Sequence, residues 1–187
     1  MCVLIDEVES LTAARKSMSG TEPSDAIRVV NALLTQLDSI KNSPNVLILT
    51  TSNITGAIDL AFVDRADIKQ YVGHPSQGAI YQILYTCITE LGRKGLVVGT
   101  AACYSLRELQ LTDMKETAGS KTSLMVWEVA GRCVGLSGRS IRKISFLALA
   151  LFSDLGEGRV LSLEEFVKSL GLAADKQIWD REQLAKS

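Results

Sequence analysis

Two short apolar runs, each followed at once by polar residues, most constrain what this chain can fold into. The first run is Val3-Leu4-Ile5, and the acidic pair Asp6-Glu7 follows it directly. The second is Val46-Leu47-Ile48-Leu49, and Thr50-Thr51-Ser52-Asn53 follows it. Unbroken aliphatic runs of this length are typical of strands that are covered on both faces of a parallel sheet. The runs therefore predict two fully buried strands with polar ends.

The segments around these runs predict an α/β domain in the first part of the chain. From the N-cap candidate Ser24, apolar residues recur at helical spacing, at Ile27, Val30, Leu34 and Leu37. A helical turn is predicted from Ile58 to Phe62 and a third strand from Ile68 to Val72. The order strand, helix, strand, turn, strand is that of a domain with a parallel sheet.

After Pro75 the pattern becomes helical throughout, so we place a domain boundary between Gly73 and Ser76. The first helix of this part has one apolar face, formed by Ile80, Ile83, Leu84, Cys87, Ile88 and Leu91. Two capping boxes of the form S-x-x-E mark helix starts, at Ser105 to Glu108 and Ser162 to Glu165. Further helices are predicted over Leu124–Val134 and Ile141–Phe152, with a polar helix over Asp175–Ser187.

Composition excludes several classes of protein. The chain has 20 basic and 21 acidic residues and a formal charge of −1, which argues against a nucleic-acid surface or an anionic membrane as partner. No apolar run approaches the ~20 residues that span a bilayer. Four cysteines without a CxxC pair and a single histidine cannot complete a four-ligand zinc site, so we expect reduced thiols and an intracellular protein.

The polar ends of the two runs are candidates for chemistry. In a nucleoside triphosphatase, an acid such as Asp6 at a strand end can hold Mg²⁺, and a neighbouring carboxylate such as Glu7 can deprotonate the attacking water. Asn53, one strand over, could position the same water. The alternatives are a solvated loop for the acidic pair and an ordinary turn for Asn53.

Two arginines are further candidates. Arg65 precedes the predicted third strand and could neutralise charge on a neighbouring subunit's phosphate, an effect worth roughly 10³–10⁵ in rate where such fingers operate. The alternative is an ion pair with its flanking residues Asp64 and Asp67. Arg139 lies on the predicted first helical turn after Gly135-Leu136-Ser137-Gly138 and could grip a phosphate. Its alternative is a solvated basic face behind an ordinary cap.

In combination these segments resemble an AAA+ ATPase. VLIDE (3–7) resembles the Walker B strand, and LTTSN (49–53) resembles the sensor 1 strand. IDLAFVDRADI (58–68) resembles the second region of homology, and GLSGRSIRK (135–143) the sensor 2 helix. The resemblance implies an α/β fold: part of the parallel-sheet AAA+ large subdomain over residues 1–73, followed by an all-helical lid subdomain over residues 74–187.

The wording of these motifs is closest to the pachytene checkpoint AAA+ ATPases. The stretches IDEVESLTAAR, GTEPSDAIRVVNALLTQLD, ILTTSNIT and AFVDRADIKQYVG carry this resemblance. It implies ATP hydrolysis with Mg²⁺ and remodelling of HORMA-domain proteins, presented by an adaptor, in meiosis and the spindle checkpoint. It also implies a homo-oligomer, expected to be a hexamer, in the nucleus on chromosomes and also in the cytoplasm, without direct contact to nucleic acid or membrane.

The resemblance also assigns roles to single residues. Asp6 would coordinate Mg²⁺ through water at the nucleotide, and Glu7 would activate the hydrolytic water. Asn53 would be sensor 1, and Arg139 would be sensor 2 and contact the nucleotide. Arg65 would be the trans-acting finger, although the wording R-x-G-R-x-D is absent. Residues 15–22 fall where the family places its second pore loop.

One departure from the family is plain, because no G-x-x-x-x-G-K-[ST] motif occurs in these 187 residues. That loop holds the nucleotide phosphates. We therefore expect the chain to correspond to the part of a longer ATPase from Walker B onward and to be inactive by itself. Two alternatives stay open: a non-catalytic truncated subunit that assembles with complete protomers, and a different AAA+ branch with a similar lid.

Overall fold

A computed structural model of the chain describes residues 1–10, 25–53, 60–153 and 159–186. The chain divides into two compact units, Met1–Tyr71 and Val72–Ser187. Each unit has an apolar core of its own. The pore-loop prediction for residues 15–22 and the N-cap prediction for Ser24 lie outside the described residues.

The first unit pairs the two strands that the apolar runs predict. Strand β1 is Cys2–Ile5, helix α1 is Asp25–Lys41, strand β2 is Leu47–Thr50 and the short helix α2 is Leu60–Val63. The strands are parallel, with Cys2 opposite Leu47 and Ile5 opposite Thr50. A parallel pair requires a crossover connection, and α1 lies within it.

Burial in the first unit differs from the prediction. Its core consists of Val8, Val30, Leu34 and Phe62, whereas leucines of the two strands are exposed: Leu4 at 64%, Leu47 at 56% and Leu49 at 47%. The prediction of strands buried on both faces is therefore wrong for this structure. Parallel strands become buried when further strands and helices cover them, and the described residues form a sheet of only two strands here.

The predicted third strand over Ile68–Val72 is also wrong. These residues have no regular secondary structure, and Ile68, Tyr71 and Val72 are 78–86% exposed. An apolar run becomes a strand only where a neighbour offers a hydrogen-bonding ladder. Within the described parts of the chain, no strand pairs with this segment.

The second unit is built mainly from helices. They are α3 (Gln77–Arg93), α4 (Leu106–Leu111), α5 (Lys121–Arg132), α6 (Gly138–Phe152) and α7 (Leu163–Lys186), with a 3₁₀ turn at Thr100–Ala102. The predicted tail helix is not separate, because it continues α7. Strands β3 (Val97–Val98) and β4 (Leu161–Ser162) form a short parallel pair that the all-helical prediction did not include.

Local sequence signals account well for the helix starts and faces of the second unit. Ile80, Leu84 and Ile88 on the predicted apolar face of α3 are all completely buried. Both capping boxes are confirmed. The Ser105 and Ser162 hydroxyls accept hydrogen bonds from the amides three residues later, each at 3.3 Å, and Glu108 and Glu165 accept in return, at 2.7 Å and 2.9 Å.

Two properties of the described residues bear on the function classes considered above. None of the described helices is long and apolar enough to cross a membrane. The same residues contain no group of three or more His, Cys, Asp or Glu side chains placed to hold a metal ion.

Candidate functional site

The first unit brings its candidate residues together where the two parallel strands end. Because Ile5 is opposite Thr50, the next residues, Asp6 and Thr51, lie at the same level. The Thr51 hydroxyl donates a hydrogen bond to Asp6 Oδ1 and accepts one of 3.2 Å from the Glu7 backbone N–H. No local sequence pattern singles out Thr51, since its role depends on a partner 45 residues away.

Asn53 meets the acidic pair, as expected for polar residues that follow neighbouring parallel strands. Its amide Nδ2 donates to Glu7 Oε1 at 3.2 Å. The side chains of Asp6, Glu7 and Asn53 are all exposed, so water can reach them. The carboxylate of Glu7 is thus oriented by an amide donor while it remains accessible to a small molecule.

Glu9 is a further member of this group, which the predicted site residues did not include. Its Oε1 accepts a 3.0 Å hydrogen bond from the backbone N–H of Asn53. Hydrogen bonding from the Ser52 side chain, followed by the Asn53 backbone, lowers the pKa of Glu9 below its ordinary value. Glu9 is therefore ionised at neutral pH and ties the Asn53 loop to the end of β1. Only its place two residues after Glu7 could have pointed to it.

The backbone of Glu7 has an unusual conformation. Its φ of 52° lies in the left-handed region, which costs a non-glycine residue about 1–2 kcal/mol. The Glu7 carbonyl accepts from the Ser10 amide at 2.9 Å and the Ser10 hydroxyl at 2.8 Å, and Val8 N–H donates to the Thr51 carbonyl at 3.0 Å. Strained residues held by several bonds in this way concentrate at functional sites.

Arg65 forms a fork with Asp38 of helix α1. Its Nε and Nη2 donate to Asp38 Oδ1 and Oδ2 at 2.8 Å and 2.9 Å, and its Nη1 donates to the Ala61 carbonyl at 2.8 Å. Hydrogen bonding from Arg65 lowers the pKa of Asp38. The fork thus joins Arg65 to Asp38, which the ion-pair alternative did not name, and Asp67 forms an ion pair with Lys41 at 2.8 Å.

Arg139 belongs to the second unit and lies on the first turn of α6. Ser137 is the N-cap, and its hydroxyl accepts a hydrogen bond from the Ser140 amide at 3.2 Å. The preceding Gly135 has φ +92°, a conformation that favours glycine. The Arg139 side chain is exposed, and within the described ranges no acidic residue forms an ion pair with it. It is therefore available to an anion.

The two units offer different chemistry. The strand ends present carboxylate, hydroxyl and amide oxygens, the ligand types that Mg²⁺ and its bound waters prefer. The start of α6 presents a guanidinium that suits a phosphate.

Comparison with known families matches both parts of the chain. Residues 76–178 match the family described as "TRIP13-like, AAA+ ATPase lid C-terminal domain". Residues 1–74 match the "ATPase family associated with various cellular activities (AAA)".

Curated relatives match nearly the whole chain. The pachytene checkpoint protein 2 homolog of Homo sapiens is 52% identical over 184 residues, which is 98% of this chain and 42% of that protein. The Xenopus tropicalis homolog is 50% identical over 186 residues, again 42% of the relative. The chain thus spans less than half the length of these relatives.

Solved structures give the same picture. The "Structure of C. elegans PCH-2" superposes with a TM-score of 0.73 at 36% identity, over 95% of this chain and 42% of that chain. The "Crystal structure of FIGL-1 AAA domain in complex with ADP" has a TM-score of 0.56 at 17% identity, over 97% of this chain and 57% of that chain. The second similarity shows the fold alone.

Proposed function

Because this chain belongs to the pachytene checkpoint protein 2 family of AAA+ ATPases, we propose that it supplies the hydrolytic strand ends and the lid of an ATP-driven protein remodeller. The fold is that of AAA+ proteins. Because the chain is 52% identical to the human pachytene checkpoint protein 2 homolog over 98% of its length, the alternative of a different AAA+ branch is not pursued. In this proposal, residues 1–73 are the C-terminal half of the large α/β subdomain and residues 74–187 are the lid.

The observation that carries the proposal is the hydrogen-bonded group at the strand ends. Asp6, Glu7 and Asn53 are all exposed and linked through Thr51 and the Asn53 amide. Family membership implies nucleotide binding. The exposed carboxylates fit a hydrated Mg²⁺ at ATP, and that ion would draw negative charge from the phosphates.

Each residue of this group has a distinct task in the proposal. Asp6 would hold Mg²⁺ through its bound waters, and the Thr51 hydroxyl orients the Asp6 carboxylate. Glu7 accepts a proton from the attacking water, and Asn53 Nδ2 keeps the Glu7 carboxylate turned toward that water. Glu9 holds Asn53 in place through the backbone N–H. We propose this group as the hydrolytic centre, with Asp6 as the metal-binding residue.

The two arginines act on the phosphates in this proposal. Arg139 is the sensor 2 residue that binds nucleotide from the lid, as its exposed place on the first turn of α6 allows. Arg65 is the trans-acting finger. Its fork on Asp38 must open before the guanidinium can reach a neighbour's phosphate, so Asp38 would hold Arg65 until that contact replaces it.

The biological setting of the proposal is inferred from the relatives, which are named pachytene checkpoint proteins. We propose that the complete protein acts as a homo-hexamer on HORMA-domain proteins presented by an adaptor. The setting would be meiotic recombination or synapsis and the spindle checkpoint, in the nucleus on chromosomes and also in the cytoplasm.

A chimaera provides the activity test, because these 187 residues contain no P-loop motif. It joins this chain to the remaining part of the human relative, which we expect to hold the P-loop. Glu7→Gln should retain ATP binding and lower kcat by about 10²–10⁴-fold, the usual contribution of a general base. The matched control is Glu116→Gln, a change at an exposed carboxyl of the second unit. Unchanged hydrolysis in Glu7→Gln would remove Glu7 from its role.

The chain by itself should bind ATP weakly or not at all, since the phosphate-holding loop is absent from it. Isothermal titration calorimetry of residues 1–187 with ATP and Mg²⁺ measures this directly. A dissociation constant in the low micromolar range or below would contradict the expectation.

A non-catalytic subunit is the second candidate function. Such a subunit would lend Arg65 to a complete protomer without hydrolysing ATP itself. Mixing this chain with complete protomers that carry alanine at their own finger position distinguishes the two. Restored hydrolysis that is lost again with Arg65→Ala in this chain would support the subunit function.

A further inference from the structure

The loop between α5 and α6 determines where α6 begins and therefore where Arg139, on its first turn, is placed. Two of its residues are anchored in the lid core, because Cys133 is 0% and Leu136 is 4% exposed. Between them, Gly135 adopts a φ of +92°. The chain therefore turns sharply at Gly135, four residues before Arg139, and any contact that holds this turn also holds the start of α6.

Such a contact comes from the distant end of the chain. The Arg181 guanidinium, on the exposed last part of α7, donates a hydrogen bond from Nη1 to the Gly135 carbonyl, across 46 residues of sequence. Because the donor is charged, this hydrogen bond is stronger than one between neutral groups. The acceptor is the peptide group of the residue with the left-handed backbone.

A second contact from α7 holds the other side of the same loop. Arg132, the last residue of α5, forms a two-pronged pair with Asp175, from Nη1 to Oδ1 at 2.7 Å and to Oδ2 at 2.8 Å. Gly171, one turn before Asp175, leaves room for it, because a Cβ there would lie 2.8 Å from Arg132 Nη2. Asp175 and Arg181 are about 9 Å apart along the helix axis.

Between these two contacts, α7 itself is anchored to the lid. Ile178 is partly buried and packs against the core cluster, while the neighbouring Trp179 is 59% exposed. The last part of α7 is thus attached to the lid through Ile178 and through polar contacts to the loop before Arg139.

We propose that Arg181 is a positioning residue for Arg139, through the Gly135 carbonyl, and that the C-terminal helix thereby sets the orientation of the nucleotide-binding arginine. This inference rests on the proposed role of Arg139 at the nucleotide. Asp175 supports the same loop through Arg132. Arg181 itself does not contact the nucleotide in this proposal.

The structural test uses hydrogen exchange on the 187-residue chain. Arg181→Ala should speed the exchange of amides 134–140 by roughly tenfold while the amides of α3 are unchanged. Arg181→Lys keeps a charged donor and should restore part of the protection. The matched control is Lys176→Ala, which removes an exposed pair with Asp180 on the same helix. Unchanged loop exchange in Arg181→Ala would overturn the inference.

The functional test uses the chimaera and a double-mutant cycle. Arg181→Ala should raise the KM for ATP by about three- to tenfold with a smaller change in kcat. On an Arg139→Ala background the same change should have no further effect, because the two residues act as one unit. Lys176→Ala should leave both constants unchanged.

The outcomes separate this inference from the proposed function. If Arg139→Ala leaves the KM for ATP unaltered, the proposed nucleotide role of Arg139 fails, and the inference fails with it. If Arg139→Ala raises KM while Arg181→Ala does not, only the positioning role is wrong. Full additivity of the two changes would equally overturn the positioning role.

Discussion

The two units of this chain bury apolar side chains to very different extents. In the described parts of the chain, 22 buried residues form the core of the second unit, whereas four form that of the first. The strand leucines of the first unit are 47–64% exposed. Helices that pack on one another close a core among themselves, whereas a pair of short parallel strands depends on further strands and helices for its cover.

The pKa values of groups in the lid interior and of Glu9 at the strand ends shift in opposite directions. Burial raises the pKa of Tyr81 above its usual range and that of Cys133 to about 11, because the lid interior disfavours charge. At the strand ends, hydrogen bonds from Ser52 and Asn53 lower the pKa of Glu9. The lid interior is therefore an apolar environment from which charge is excluded, whereas the strand ends provide an accessible, charged edge.

The largest effect should come from truncating a lid leucine. Leu84→Ala removes a completely buried side chain and should lower the free energy of unfolding of the lid by about 2–5 kcal/mol. The matched change Leu4→Ala, at a side chain that is 64% exposed, should stay within about 0.5 kcal/mol. Urea unfolding followed by far-ultraviolet circular dichroism measures both. Equal losses would remove the contrast between the units.

A smaller loss of stability is expected when a side chain is added at Gly92, where α3 packs closely against Thr100. A Cβ there would lie 2.9 Å from Thr100 Cβ, so Gly92→Ala should destabilise the lid by about 1–3 kcal/mol, despite the better helix propensity of alanine. Thermal unfolding measures the loss. The control Gly138→Ala, where the nearest atom is 3.8 Å away, should be neutral or slightly stabilising. A stabilising Gly92→Ala would show that α3 and the 3₁₀ turn separate readily.

The capping box at Ser105 should contribute less to the stability of the lid, and its contribution should depend on pH. Ser105→Ala should cost about 0.5–2 kcal/mol of lid stability at pH 7. Hydrogen bonds from the Ser105 side chain and backbone lower the pKa of Glu108. The contribution of Glu108 is therefore present above its unfolded pKa of about 4.3 and is lost as the pH falls through the lower folded pKa. Urea unfolding midpoints of the unchanged chain and of Ser105→Ala, measured at pH 7 and pH 3.5, test this. A destabilisation by Ser105→Ala that is larger at pH 3.5 than at pH 7 would contradict it.

The smallest effect is expected at the Arg65–Asp38 fork of the first unit. Both side chains are more than a third exposed and their attraction is screened by water, so Asp38→Asn should change stability only slightly. In the chimaera, the same change should raise hydrolysis if Asp38 restrains the finger. Hydrolysis lowered as far as by Arg65→Ala would indicate that the fork itself is needed for activity.

Local patterns account for much of the lid. The apolar face of α3 and the capping boxes at Ser105 and Ser162 follow from residues three or four apart, which are neighbours on any helix. The meeting of Asn53 with Glu7 also followed, because parallel strands place their carboxyl ends at one edge. These predictions needed no knowledge of distant contacts.

Other features depended on residues far apart in sequence. Thr51 and Glu9 join the strand-end group through partners 44–45 residues away. Arg65 pairs with Asp38, which lies 27 residues away in the sequence. Ile68–Val72 has the composition of a strand but remains unpaired with any described strand. Strand pairing and ion pairing are decided by which segments meet in space, which spacing along the chain does not encode.

By itself, the sequence determined the family, the parallel strands with acidic and amide ends, and the helices of the lid. The family follows from motifs that resemble those of its members, whereas the strands and the helices depend on residue type and on short-range periodicity. Only the tertiary structure decided the strained backbone of Glu7, the fork between Arg65 and Asp38, and the hydrogen bond from Arg181 to the Gly135 carbonyl. Each of these depends on hydrogen-bond geometry between segments that the fold alone brings within about 3 Å.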